Sequence, residues 1–296
     1  MSKYLLRSLM FVPGHNEKLL NKAAKSDADA LLLDVEDSVQ PFENKILARK
    51  KIKEYVEKNM FNDLLVFPRI NDRESGQLLK DLEALTIEKI DGFMYPKAKK
   101  GEDIYFIDKL LETLEYEKGY PVGKFKLIPL IETAAAVLNA QDIIQASERV
   151  IAIAFGCEDF ITDLEGIHDK EGRSIFSPRA LIALAARANN ICPIDTVHIN
   201  VHDLEDLESN LKLARELGFE GMLVLNPKEL PLVHKYFSPT NQEYTDAKEM
   251  LSLAEESNKE GKGVAIVNNR FIGPPMVANA KKLIKRFEQI NAKLNE

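Results

Sequence analysis

Short apolar runs alternate with longer stretches of helical periodicity along most of the chain. Residues 5–12, 30–35, 64–67 and 92–95 are apolar enough to be buried strands. Interleaved with them, residues 15–25, 43–59, 78–85 and 104–118 carry the apolar spacing of amphipathic helices. The alternation then continues. Residues 127–132 form a strand ending in Glu132, an alanine-rich helical run follows Thr133, and 150–159 is an apolar run ending in carboxylates. Residues 178–189 read as a helix, 194–199 as a seventh strand, 204–217 as a helix and 221–225 as an eighth strand running into Asn226.

Near-continuous apolar strands separated by helices mark a parallel sheet covered on both faces. Eight such units within about 235 residues predict an α/β fold, a closed (β/α)8 TIM barrel, over residues 1–237. A doubly wound open sheet is the rival. No G-x-G-x-x-G follows the first strand and no G-x-x-x-x-G-K-S/T occurs, which weakens it. Beyond residue 237 the pattern changes to a polar helix at 241–257, an irregular or β-like arm at 261–272 and a last helix at 277–293. Residues 238–296 carry too little apolar surface for a separate core. They are expected to form a C-terminal helical extension that packs on the barrel or reaches over a neighbouring subunit.

Charge and cysteine usage narrow the function classes. A net charge of −7 over 296 residues argues against nonspecific attraction to nucleic acid or an anionic membrane. Two cysteines, Cys157 and Cys192, make neither a disulfide framework nor a cysteine-rich zinc site. No apolar run approaches the ~18 residues of a membrane span, and residues 1–14 lack a signal-peptide pattern. A soluble cytoplasmic protein is the expectation.

In a barrel of this kind, chemistry sits where the strands end. Those positions hold Asp34, Glu36 and Asp37 after the second strand, then Arg69 and Asn71 after the third. Lys97 follows the fourth, Glu132 the fifth, Glu158 and Asp159 the sixth, and Asn226 the eighth. Each has a plain structural reading as well. A carboxylate just past a strand often caps a helix, although Thr133 beside Glu132 offers an alternative cap. Arg69 could pair with Asp34 or Glu36, and Lys97 lies in a basic run that reads as a solvated face unless it meets phosphate. Cys157 reads as an inert buried thiol. The five histidines show no metal-ligand spacing, and no nucleophile motif is present.

Taken together, these residues fit Mg²⁺, which takes a few carboxylates plus water and substrate oxygens. Glu132 and Asp159 could supply two ligands, with Asp34, Glu36 and Asp37 holding bound waters. A metal held by two oxygens of a 2-oxo or 2-hydroxy acid would polarise a carbonyl, and Arg69 would offer a planar fork to a carboxylate or an enolate. This reading yields a metal-assisted reaction of an oxo acid without saying which.

Several stretches resemble the citrate lyase beta subunit-like family of the HpcH/HpaI aldolase superfamily. They are RSLMFVPG at 7–14, LLDVEDSV at 32–39, PRIN at 68–71, YPK at 95–97, LIET at 130–133 and FGCED at 155–159. LGFEG at 217–221 followed by Leu225-Asn226-Pro227, and FSPT at 237–240, complete the series in family order. The resemblance implies a Mg²⁺-dependent carbon–carbon lyase on a (β/α)8 barrel, assembled as a homo-trimer or hexamer. It would cleave a 3-hydroxy-3-carboxyacyl thioester, of CoA or an acyl-carrier protein, to an acetyl thioester and a small 2-oxo acid, or run the reverse. Glu132 and Asp159 would bind Mg²⁺, Arg69 would contact the oxo acid and thioester oxygen, and Glu36 and Asp37 would organise metal waters. Pro13, Gly14, Lys97 and Asn226 are the candidate contacts for the thioester and its carrier. A metal-dependent aldolase of a small free oxo acid and a non-catalytic thioester-binding subunit are the alternatives. Two departures stand out. Asn226 occupies a place where the family usually has histidine, and Gly273, in the stretch 271–275 (FIGPP), occupies the place of an acid that donates a proton from the carboxyl-terminal lid.

Overall fold

The computed structural model describes residues 4–62, 64–167, 172–200, 202–259, 265–267 and 270–295. Strands and helices follow one another as β1 (Ser8–Pro13), α1 (Glu17–Ala23), β2 (Ala30–Asp34), α2 (Asn44–Glu57), β3 (Leu65–Val66), α3 (Leu78–Leu85), β4 (Gly92–Tyr95) and α4 (Gly101–Lys118). The second half continues with β5 (Lys126–Ile131), α5 (Ala134–Leu138), α6 (Ala140–Gln145), β6 (Ala152–Phe155), α7 (Cys157–Asp163), α8 (Arg173–Ala188), β7 (Cys192–Asp195), α9 (Leu204–Leu217) and β8 (Gly221–Val224). A 3-10 turn, Pro227–Glu229, leads into α10 (Leu230–Phe237).

The eight strands form one sheet in the order β3-β2-β1-β8-β7-β6-β5-β4, and every pair is parallel. β3 and β4, at the two ends of that order, also meet. Asp91 N donates to Val66 O at 3.1 Å, Met94 N to Pro68 O at 3.0 Å and Ile70 N to Met94 O at 3.2 Å. The expected (β/α)8 barrel is therefore present, with the two-residue β3 as its shortest strand.

Alternate strand residues fill the interior, as a two-residue period requires. Leu9, Ala30, Leu32, Phe67, Met94, Ile128, Leu130, Ala152, Ala154 and Ile194 belong to one buried cluster. Their neighbours Leu31, Leu33, Leu127 and Ile153 are equally buried on the outer face. Burial of both faces is why the strands read as unbroken apolar runs. Arginine–carboxylate pairs tie the ends where the chain enters the strands. Arg7 grips Asp29 through Nε at 2.8 Å and Nη2 at 2.9 Å, and Arg149 holds Glu115 at 2.6 and 2.7 Å.

Three local differences from the sequence pattern have physical causes. α8 begins at Arg173, not at Pro178, because burial of Ile175, Ile182, Ala183 and Ala186 outweighs the hydrogen bond lost at the proline. β7 begins at Cys192, paired with Ala152, since Pro193 still offers its carbonyl to Glu220 N at 3.0 Å. The run 150–159 is only partly strand: β6 stops at Phe155, and Glu158 and Asp159 lie in the first turn of α7.

The chain divides into two compact units, with residues 4–233 in one and residues 234–296 in the other, so the boundary falls within α10. The second unit contains α11 (Asn241–Lys259), β9 (Ala265–Val267), β10 (Arg270–Ile272) and α12 (Pro274–Asn295). β9 and β10 pair antiparallel where an irregular or β-like arm was expected. Tyr244 stacks on Phe287 with centroids 4.1 Å apart, joining α11 to α12. Gly273 ends as the cap of α12, its carbonyl accepting from Met276 N at 3.0 Å and Val277 N at 3.2 Å. Among the described residues no helix is long and apolar enough to cross a membrane.

Candidate active site

A cavity of about 790 Å³ opens at the ends of the barrel strands. Its lining includes Asp34, Arg69, Glu132 and Asp159 together with Phe11, Val12, Pro13, Leu19, Leu223 and Leu225. Three exposed lysines, Lys22, Lys25 and Lys228, also line it. The lining thus combines buried charges, apolar side chains and exposed lysines, with the exposed acids Glu158 and Asp159 among them. A second cavity, of about 1080 Å³, lies beside β7 and contains the buried Arg179–Asp195 pair but none of the expected site residues.

Glu132 follows β5 and is 2% exposed. It is released from capping duty, because Thr133 Oγ1 accepts from Ala136 N at 3.1 Å and Asp163 accepts from Ala134 N at 2.7 Å. Burial first, then the charges of Asp159 and Glu36, push the Glu132 carboxyl up to about 8. It is a carboxylate short of positive charge. Gly156, the residue before α7, is what admits it: a Cβ there would stand 3.0 Å from Glu132 Cβ and 3.1 Å from Oε2. Asp159, exposed on the first turn of α7, faces the same cavity. Glu132 and Asp159 are therefore the pair that could hold a divalent cation. Among the described residues no set of three or more His, Cys, Asp or Glu side chains is disposed to hold one.

Arg69 stands at the centre of an acidic network. Its Nε and Nη2 each donate to Asp34 at 2.7 Å, and Nη1 lies 3.1 Å from Glu36 and 3.6 Å from Asp37. The guanidinium also lies 4.8 Å from the centre of the Phe11 ring. Burial works against ionising Asp34, but Arg69, with Ser38 and the Glu36 N–H, overcomes it and holds Asp34 below the usual carboxylate range. Glu36 is pushed the other way, up to about 7, by burial and by Asp37 against the pull of Arg69 and Lys97.

Lys97 is exposed, as a solvated basic run would have it, but it is also engaged. Its ammonium lies 2.7 Å from Glu36, and its backbone N–H donates to Glu132 Oε1 at 2.8 Å. The residue adopts φ 58°, a left-handed conformation that costs a non-glycine residue about 1 kcal/mol or more. It clasps the ends of β2, β4 and β5 and does not line the cavity.

The remaining expected residues separate. Pro13 and Asn226 line the cavity; Gly14 does not, and its N–H binds Asp34 O at 2.8 Å. Asn226 caps the 3-10 turn, its Oδ1 accepting from Lys228 N at 3.1 Å. Asn71 is spent inside the protein, bound to Lys45 at 2.7 Å, Asp81 at 2.7 Å and Val35 O at 2.9 Å. Cys157 is buried and its thiol is pushed up to about 12, chiefly by burial.

Residues 7–227 match the HpcH/HpaI aldolase/citrate lyase family. The chain belongs to that family. It is 32% identical to the citrate lyase subunit beta of Leuconostoc mesenteroides subsp. cremoris, over 95% of this chain and 93% of the relative. It is 28% identical to a (3S)-malyl-CoA thioesterase of Cereibacter sphaeroides strain KD131, over 97% and 96% respectively. The crystal structure of the protein CitE from Mycobacterium tuberculosis in complex with magnesium and pyruvate superposes with a TM-score of 0.65 at 27% identity, covering 80% of this chain and 93% of that one.

This HpcH/HpaI aldolase/citrate lyase chain also has cavity residues that sequence reasoning missed. Lys22 and Lys25 lie at the end of α1, and nothing in a helix pattern tells which lysine turns toward a rim. Lys228 had a signal, since it directly follows Asn226-Pro227 at the end of the eighth strand.

Proposed function

We propose that this chain is a Mg²⁺-dependent carbon–carbon lyase. It cleaves a 3-hydroxy-3-carboxyacyl thioester of the citryl, citramalyl or malyl type to an acetyl thioester and a 2-oxo acid, or runs the reverse condensation. The observation that carries this reading is the convergence of Glu132, Asp159 and Arg69 on one cavity whose wall is apolar and whose margin is basic. Its similarity to citrate lyase beta subunits and to a malyl-CoA thioesterase supports the thioester class.

The residues fit a small hard cation. Glu132 is buried and starved of positive charge, Gly156 leaves room beside its Oε2, and Asp159 supplies a second oxygen donor. When bound, Mg²⁺ would polarise the oxygens of the oxo acid and neutralise charge that develops during cleavage. Glu36 and Asp37 would order water around that position. Arg69, aimed by Asp34, would present its remaining Nη hydrogens to the oxo-acid carboxylate or the thioester oxygen. The apolar wall formed by Val12, Pro13 and Leu225 would take the acyl carrier, and Lys22, Lys25 and Lys228 would meet its phosphates.

In the cleavage direction the 3-hydroxyl passes its proton to water or to a cavity carboxylate, the C2–C3 bond breaks, and C3 becomes the carbonyl carbon of the oxo acid. The electron pair passes to C2 as the enolate of the acetyl thioester, which then takes a proton. Residue 273 has no side chain to give it, so water or another group does. Assembly as a homo-trimer or hexamer, a cytoplasmic location and the extension 238–296 as a lid or packing arm belong to the same proposal.

The test mixes purified protein and Mg²⁺ with citryl-, citramalyl- and malyl-CoA, with carrier-protein thioesters, and with free oxo acids. Release of a 2-oxo acid together with acetyl thioester supports the lyase. Turnover of free oxo acids alone would replace it with a small-molecule aldolase, and release of only the free thiol would replace it with a thioesterase.

A further inference from the structure

Glu229 is a carboxylate that the chemistry above leaves unused. It ends the 3-10 turn after β8 and is 0% exposed. Its Oε2 accepts from Leu225 N at 3.4 Å, and the Asn226 N–H also turns to the carboxylate. Its Oε1 is buried and has no hydrogen-bond partner among the described residues. Among the described residues no cation offsets it, and burial drives the carboxyl up to about 7 against the pull of the two backbone N–H groups. A buried acid satisfied only by backbone N–H groups is an expensive arrangement, and an apolar side chain of similar shape would fill the space at less cost.

What the arrangement does is local. The four residues before Glu229, Leu225 to Lys228, all line the cavity. Glu229 N donates back to Asn226 O at 2.9 Å, and Asn226 Oδ1 is held by Lys228 N at 3.1 Å. The carboxylate thus holds the first two N–H groups of the loop, while the N–H of Glu229 itself ties the loop's end back to Asn226 O.

We propose that Glu229 is a positioning residue: it pins the loop after β8 so that Asn226 and Lys228 meet the acyl carrier. The inference rests on the functional reading given above, and it concerns affinity for the carrier, not the bond-breaking step.

Three variants test it, with CoA binding measured by calorimetry and thioester cleavage by kinetics. Glu229→Leu removes the acceptor and is expected to raise the Kd for CoA and the KM for the thioester about tenfold. Its kcat and Mg²⁺ affinity should stay within about twofold of the parent protein. Glu229→Gln keeps an acceptor oxygen and is expected to hold KM within about threefold. If Glu229→Leu fails to fold, Glu229→Asp draws the carboxylate back by one methylene and should raise KM in the same way. Unchanged KM and Kd in the Leu variant, or in the Asp variant where Leu does not fold, overturn the proposal, as does a kcat that falls as far as KM rises. A parent protein that neither binds CoA nor cleaves any thioester overturns the functional reading itself; an active parent with indifferent variants overturns only the role of Glu229.

Discussion

Arg69 spends two of its donor directions on Asp34, with Nε and Nη2 both 2.7 Å from its carboxylate oxygens. The planar fork that the sequence reading offered to a substrate is therefore already engaged by the protein. Nη1 in turn lies 3.1 Å from Glu36, so the acids of the β2 end dictate where the guanidinium that lines the cavity points. Asp34→Ala is expected to lower kcat/KM about a hundredfold, because a misaimed guanidinium loses its charge-assisted contacts. It should also destabilise the fold by about 3 kcal/mol, since a mostly buried cation loses its best partner. Steady-state kinetics and urea unfolding check both effects. Arg69→Lys, which keeps the charge without the fork, should lose activity comparably.

Gly156 gives a second handle on the same centre. Its φ of −102° is open to any residue, so Gly156→Ala carries no backbone strain. The added methyl would press on Glu132 at 3.0 Å and displace its carboxylate. Calorimetry should find Mg²⁺ affinity weakened about tenfold, with the melting temperature little changed.

Much of this was legible in the sequence, and particular residues show why. Strands buried on both faces, such as 30–34, announce themselves as apolar runs, and Thr133 marked Glu132 as available. The fork between Arg69 and Asp34 was open only as an alternative, because pairing across two strands depends on register. Lys97 was harder. Its left-handed backbone, which brings its N–H to Glu132, has no signature in a lysine-rich run. Asn71 lies two residues after Arg69 yet is spent inside the protein, and no spacing rule separates the two.

Ionisation links the site to stability. Glu132 titrates near 4.5 in an unfolded chain and at about 8 in the folded one. Between those values the folded, metal-free protein holds a proton that the unfolded chain has released, so its stability falls as pH rises. Glu36, raised to about 7, adds to the same slope. Asp34 works oppositely: its contribution is present above the ordinary carboxylate value and is lost as pH drops through its lower folded value. Mg²⁺ requires the Glu132 carboxylate, so its affinity should rise about tenfold per pH unit below about pH 8. Thermal unfolding with and without Mg²⁺ should show a metal-induced rise in Tm that grows from about pH 5.5 to about pH 8.5.

The basic margin makes a prediction about the carrier. Replacing Lys22 and Lys228 together by glutamate should raise the KM for a CoA thioester about tenfold or more, while kcat at saturation stays near the parent value. The effect should shrink as salt is added, since all three lysines at the margin are exposed.

The most direct measurement is the rate of 2-oxo acid release from citryl-, citramalyl- and malyl-CoA, with Mg²⁺ and with a chelator, for the parent protein and for Glu132→Gln. The lyase account expects release from at least one thioester with Mg²⁺, abolition by the chelator, and a loss of about a hundredfold or more in the variant. Release that survives both the chelator and the variant, or no release from any thioester, would contradict it.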